Sequence, residues 1–146
     1  MKIIFYGYSG VHSAVVAGAA YLGKLSAQKA ASLQFSEIPF FGCQENKNQL
    51  RYLGEDTLGN QIYSLGVQGE MDLIPKSINN FLELFHISSH DLVLINIDTS
   101  LSTLTKWGER IARRGLTLLG NFLVCQGLKK DLPVLMNHVH LKLGDG

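Results

Sequence analysis

Ile3-Ile4-Phe5-Tyr6-Gly7-Tyr8-Ser9-Gly10-Val11-His12-Ser13-Ala14-Val15-Val16-Ala17 is the stretch whose reading decides the fold. Its first part, Ile3 to Tyr6, is a β-branched and aromatic run bounded by glycine, which predicts a short buried strand. From Val11 to Leu25 the residues are mostly small or apolar, among them Ala19, Ala20 and Leu22. That composition predicts a helix packed closely on a sheet and ending near Gly23. A strand, a Ser/Gly loop and a helix, in that order, form the opening unit of an α/β protein.

Working outward, Ser26 is expected to cap a further helical piece through Ala30 and Ala31. Residues 36–48 hold Pro39, Gly42 and the polar run Gln44-Glu45-Asn46-Lys47-Asn48, and read as a surface loop. Leu50 to Leu53 and Gln61 to Leu65 read as two strands of a β-hairpin, joined through the turn residues Gly54 to Asn60. Asp72 is placed to cap a helix from Leu73 to about His86, with Ile74, Ile78, Phe81, Leu82 and Phe85 on one face. Asp91 to Ile97 is the clearest central strand. Asp98-Thr99-Ser100 is placed to cap the next helix, which runs to Arg113 or Arg114 and stops at Gly115.

Leu118-Leu119 and Phe122 to Cys125 read as a last strand, interrupted by Gly120-Asn121. A closing helix follows from about Lys130 to Leu143, with Pro133 in its first turn. The order β-α-β-β-α-β-α-β-α predicts a three-layer α/β sandwich with a mainly parallel central sheet and one β-hairpin element, a single domain over residues 1–146.

Bulk composition narrows the function classes. Thirteen basic residues against 12 acidic ones leave no broad electrostatic footprint for nucleic acid or an anionic membrane. Cys43 and Cys125 stand far apart and outside any C-x-x-C pattern, which reads as buried thiols in a reducing compartment. The run after Lys2 reaches Gly7 too soon for a signal core, and no stretch approaches the ~20 apolar residues of a membrane span. A cytoplasmic protein is expected.

The functional expectation centres on the loop after the first strand. In open α/β sheets ligands bind beyond the carboxyl ends of the strands. A helix start there offers unpaired N–H groups and the positive end of its dipole. Gly7 and Gly10 allow close backbone approach, Ser9 and Ser13 supply hydroxyls, and His12 supplies a proton donor or a positive charge. Gly7, Ser9, Gly10, Val11, His12, Ser13 and Thr99 are therefore the candidate ligand-binding residues, with His12 and Asp98 as candidate catalytic ones. Asp98 has the chemistry of a general acid or base, or of a partner fixing the His12 tautomer. Asp98 and Thr99 are expected to form the wall opposite the loop. The spacing is neither a Walker A loop nor G-x-G-x-x-G.

Other groups take blander readings. Arg110, Arg113 and Arg114 complement a helix C-terminus, with binding of a phosphate or an acidic partner as the alternative, and Lys129 and Lys130 read as a solvated helix start, the alternative being that they reach the ligand edge. His138 and His140, two apart, do not share a helix face, and no partner is spaced to complete a metal site. No cofactor can be named from the sequence. His86 and His90 read as polar surface, and Trp107 as packing rather than a base-stacking platform.

The first loop resembles the phosphate loop of low-molecular-weight tyrosine phosphatases, with Tyr6 at the position of their cysteine and His12-Ser13 at that of their Arg-Ser. A similar strand–loop–helix occurs in sugar-phosphotransferase B subunits, again with a cysteine absent here. These likenesses imply architecture and anion binding, not the activity. Tyr8 to Ala17, Tyr21-Leu22-Gly23, Gly59-Asn60, Ile62 to Gly66, Asp98-Thr99, Arg113 to Leu116, Leu119-Gly120 and Gln126 to Lys130 together resemble another family. It belongs to spore-forming Gram-positive bacteria and is described only as domain of unknown function 3189. Ser9, Val11 and Ala14 depart from its pattern, where glycine, threonine and serine are usual, and so does Lys106-Trp107-Gly108-Glu109.

Three functions follow as expectations. The leading one is binding of a phosphorylated or other anionic small ligand at the first loop. The others are a sporulation-associated interaction or regulatory protein without catalysis, and a phosphoryl-transfer or hydrolase enzyme using His12. Neither an enzymatic role nor its absence is fixed by the sequence.

Overall fold

The computed structural model describes residues 1–25, 35–44, 49–69 and 71–144. The helical piece expected from Ser26 to Ala31 lies outside them. Strand β1, Lys2–Gly7, is the run read from the sequence, and every residue after Lys2 is buried. Alternation explains this: Ile3 and Phe5 face one side of the sheet while Ile4 and Tyr6 face the other, so both sides need cover.

Helix α1 follows as Ser13–Tyr21, and β2, Leu50–Glu55, and β3, Gln61–Gly66, form the hairpin. Helix α2, Leu73–Leu84, leads to β4, Leu92–Asn96. Among the described residues the sheet has four strands in the order β2-β3-β1-β4. β1 runs parallel to β3, with Ile3 opposite Ile62, and parallel to β4, with Phe5 opposite Ile95. The β2–β3 pair is antiparallel and shifts register between Tyr52 and Gly54. The sheet is therefore mixed, with an α/β chain around it.

The strand expected over 118–125 is not there. Helix α3, Thr103–Arg113, turns at Gly115 (φ +101°) into one helix, α4, Thr117–Gly144. The buried residues of α4 explain the correction. Gly120, Val124, Gly127, Leu128, Asp131, Leu132, Leu135 and Val139 recur at steps of three and four, a helical stripe. Leu118 and Phe122, which made the segment look strand-like, are exposed. Pro133 stands mid-helix rather than in a first turn, on the exposed side, where water can meet the carbonyl it leaves unpaired.

Two expected caps also differ. Asp72 has helical backbone angles and makes no side-chain cap bond, because a capping side chain needs an extended backbone to fold back. Asp98 to Ser100 form a single 3-10 turn, and α3 starts only at Thr103. Ser102 there donates its N–H and its Oγ–H to Asp131 of α4, which also accepts from Thr105 Oγ1 at 2.5 Å. One carboxylate thus caps α3 from the neighbouring helix.

The larger core cluster joins Ile3, Phe5, Ile62 and Ile95 of the sheet to α1 and α4. On the opposite face Ile4, Tyr6, Leu65 and Val67 are met by Met71 and Ile74. Leu82 is the one buried residue of α2, and Phe81, Leu84 and Phe85 are exposed.

The hairpin turn is tied to α1 by a titratable pair. Asp56 accepts from Leu58 N, Asn60 N, Asn60 Nδ2 and the Tyr21 hydroxyl at 2.7 Å. The Tyr21 bond, foremost, holds the Asp56 carboxyl down at about 2. Burial, then the bond to Asp56, pushes the Tyr21 hydroxyl up to about 12. A depressed carboxyl stabilises above its unfolded value near 4 and loses that contribution as pH falls through about 2. A raised phenol stabilises below 10 and loses it as pH rises through about 12. Acid denaturation of Asp56→Asn should therefore have a shallower limb between pH 4 and 2 than wild type; superimposable limbs would contradict this coupling.

Candidate functional site

The loop between β1 and α1 is built inward. Ser9, Gly10, Val11 and Ser13 are buried, and His12 is 4% exposed. Three of its backbone donors are held by side chains of this chain. Tyr8 N donates to both oxygens of Asp98 at 3.3 and 3.1 Å. Val11 N donates to Ser9 Oγ at 3.3 Å, and Ser13 N donates to Glu109 Oε1 at 3.1 Å, joined there by the Ser13 hydroxyl. Glu109 of α3 is fully buried. The N-terminus of α1 therefore carries the carboxylate of α3 where the sequence suggests an external anion, a placement its dipole favours.

Gly7 is needed for a close approach of another kind: a Cβ there would stand 2.6 Å from Asp98 Oδ1. Burial, above all, raises the Asp98 carboxyl, against the Tyr8 N–H, Lys106 and Arg110, which lower it. The Arg110 guanidinium lies 5.5 Å from the centroid of the Tyr8 ring. Asp98 thus shares the strand edge of the first loop, as expected.

His12 is fixed at both nitrogens. Nδ1 is 2.7 Å from Ser9 Oγ and Nε2 is 2.6 Å from Asn121 Oδ1 on α4. One proton placement consistent with these bonds has Ser9 Oγ accepting from Val11 N and donating to Nδ1, while Nε2–H donates to Asn121. Asn121 Oδ1 is the partner that holds the proton on Nε2. Phe41 meets the imidazole edge-on at 5.4 Å between ring centroids. Gly42 N donates to Val11 O at 2.8 Å, and Gly42 (φ +67°) leaves room for the Asn121 amide, 2.6 Å from where its Cβ would be.

Between these parts lies a cleft of about 540 Å³. Val11 and His12 form one wall, and Gly42, Cys43 and Gln44 a second. The wall facing the loop comes from the α3–α4 junction, with Glu109, Arg113 and Thr117. Asp98 and Thr99 do not line it; Thr99 is exposed in its 3-10 turn. The structure thus brings Val11 and His12 to the cleft, with Ser9, Gly10 and Ser13 buried in the loop that carries them.

Sequence reasoning missed Glu109 and Cys43 as cleft-lining residues and Asn121 as the partner of His12, and read Arg113 first as a helix-end cation, with binding of a phosphate or an acidic partner as the alternative. For Asn121 the signal lay in the helical period of residues 117–144, which places it next to Gly120 at the edge of the buried stripe. Cys43 is exposed and Cys125 half-buried, each unbridged, and burial raises the Cys125 thiol against Lys129. His138 reaches α4's other contact, the Asn96 carbonyl, at 3.0 Å. Among the described residues no helix is long and apolar enough to cross a membrane, and no three His, Cys, Asp or Glu side chains are grouped to hold a metal.

The model of a family described as protein of unknown function (DUF3189) matches residues 2–142, and the chain belongs to that family. No curated protein and no solved structure matches it.

Proposed function

We propose that this member of the DUF3189 family binds a phosphorylated or otherwise anionic small molecule in the cleft beside the first loop. One observation carries the reading: His12 and Arg113 line the same cleft, whose size, about 540 Å³, falls within the range of small-ligand sites. The Arg113 guanidinium is a fork for phosphate or carboxylate oxygens. Thr117, in the first turn of α4, adds helix-start N–H groups to the same wall. In this reading the chain is a single domain, a three-layer α/β sandwich on a mainly parallel sheet, with α2 as the thin third layer. Gly7, Ser9, Gly10 and Ser13 build the loop, Val11 and His12 face the ligand, and Asp98 and Thr99 shape the neighbouring rim.

A thermal-shift series with inorganic phosphate, nucleotides, sugar phosphates and acidic metabolites tests it. A ligand at 100 times its Kd adds about 2.7 kcal/mol through mass action. The ligand-induced rise in Tm should vanish in His12→Ala and Arg113→Gln, whatever their own baseline Tm. No rise with any compound sinks anion binding as the function.

A second reading, phosphoryl transfer through His12, draws on the Asn121 bond, which keeps the proton on Nε2 and the attacking lone pair on Nδ1, and requires the Ser9 hydroxyl to turn away from Nδ1. It requires an acid-labile phosphate label that His12→Gln abolishes. Absence of label with acyl-phosphate and nucleotide donors counts against it and leaves the binding reading standing.

A further inference from the structure

The near-neutral total charge conceals an uneven distribution. Between Thr99 and Lys130 stand six lysine and arginine residues and a single carboxylate, Glu109, which leaves seven basic residues against 11 acidic ones in the rest of the chain. Glu109 is fully buried, so the surface of this segment presents cations and no carboxylate.

The same segment holds the turn between α3 and α4, where every residue from Arg114 to Leu119 is exposed. Leu118 is 88% exposed, Leu116 61% and Leu119 51%. Phe122, one helical turn past Leu118 on the same face, is 59% exposed. A Cβ at Gly115 would meet nothing within 4 Å, so the chain reversal stands clear of its surroundings. Packing within this chain does not explain the four apolar side chains: the buried stripe of α4 runs through Gly120, Val124 and Gly127 and omits them. Exposed apolar groups clustered in this way mark a surface that meets another apolar phase.

Shape and charge select that phase. The four side chains stand on a protruding reversal rather than in a groove, so they suit entry into another body and not the seating of a helix. Leu118 to Phe122 covers about 6 Å of helix axis, close to the depth of about 5–10 Å to which amphipathic surfaces sink in a bilayer. Arg110 and Arg114, both exposed, end α3 beside them. Cations next to leucine and aromatic groups are the combination that anionic lipid attracts. Thr117 carries the one side-chain hydroxyl between Arg114 and Leu119, and it lines the cleft, which leaves the protruding side without a polar group to fix a protein partner's register.

We propose that the α3–α4 turn docks this protein on an anionic bilayer. Leu116, Leu118, Leu119 and Phe122 enter the boundary between headgroups and acyl chains, and Arg110 and Arg114 meet lipid phosphates. Among the described residues no helix is long and apolar enough to cross a membrane, and docking on its surface needs none. Gly115 and Thr117 line the cleft while Leu116 and Leu118 are exposed beside it, so the docked turn holds the cleft near the headgroups.

Co-flotation of the full chain with vesicles of phosphatidylcholine alone, and of phosphatidylcholine mixed equally with phosphatidylglycerol, tests the proposal. Wild type should partition at least about tenfold more strongly to the anionic vesicles. That gain should shrink as salt shortens the reach of charge from about 10 Å at 0.1 M to about 3 Å at 1 M. Arg114→Gln should weaken binding about fivefold, the effect of one cation near an anionic surface. Leu118→Ser combined with Leu119→Ser should weaken it at least about tenfold. Leu84→Ser combined with Phe85→Ser, exposed apolar positions at the end of α2, should leave it unchanged. Every substituted side chain is exposed, so each variant should melt within a few degrees of wild type. Wild type that floats with neither vesicle, or equally with both, overturns the proposal. A turn pair indistinguishable from the α2 pair overturns it as well, because any adsorption would then be unselective.

Discussion

Gly120→Ala is expected to destabilise the protein by about 3 kcal/mol, the upper part of the range for overpacking, although alanine is the better helix former by about 1 kcal/mol. The reason is the seam between α3 and α4. A methyl group at Gly120 would overlap the backbone N and Cα of Ala112 as well as its Cβ, and a backbone cannot rotate away as a side chain can. Gly108 faces the same seam from α3, where a Cβ would stand 2.7 Å from Val124 N, and a Cβ at Gly127 would overlap Thr105 Oγ1. The helices would have to separate, and with them Ala112, which lines the cleft, and Asn121, which holds His12. Urea unfolding should show a lower midpoint with an unchanged slope. Gly144→Ala, with open space at the helix end, should stay within about 0.5 kcal/mol of wild type. Equal midpoints for the two variants would mean that the close helix contact does not govern stability.

The same glycines show what the sequence made legible. Apolar runs bounded by turn residues were easy to read: Ile3 to Tyr6, the hairpin from Leu50 to Leu65 and Leu92 to Asn96 all became strands, because short branched and aromatic runs have few alternatives. Gly120 and Gly127 were misleading. Glycine costs a helix about 1 kcal/mol in propensity, so Gly120-Asn121 reads locally as a break. In the folded chain close packing against Ala112 and Thr105 outweighs that cost, a tertiary effect with no local signature. The site divides in the same way. His12 and the strand edge were visible because they follow β1. Glu109 and Asn121 reach the loop from 96 and 109 positions away in a direction only the packed fold defines. Asp98 stands at the loop, where its carboxylate accepts from Tyr8 N, while Asn121 meets the imidazole.

Glu109→Ala is expected to cost about 3 kcal/mol or more, and the cost should be partly reversible by added anions. The carboxylate is fully buried and receives the Ser13 N–H and hydroxyl at the start of α1. Truncation leaves both donors facing a hole, and it removes the negative charge that complements the dipole of α1. Glu109 also lines the cleft, so the hole opens to solvent rather than staying sealed. Formate is small enough to enter and accept from the same two donors. Its concentration-dependent stabilisation should therefore be larger in Glu109→Ala than in wild type, while sodium chloride at equal ionic strength should do little. Glu109→Gln should fall between the two proteins, because its amide oxygen still accepts but carries no charge. An equal formate effect in wild type and Glu109→Ala would show that the seat at α1 does not select a carboxylate, and that packing alone explains the buried glutamate.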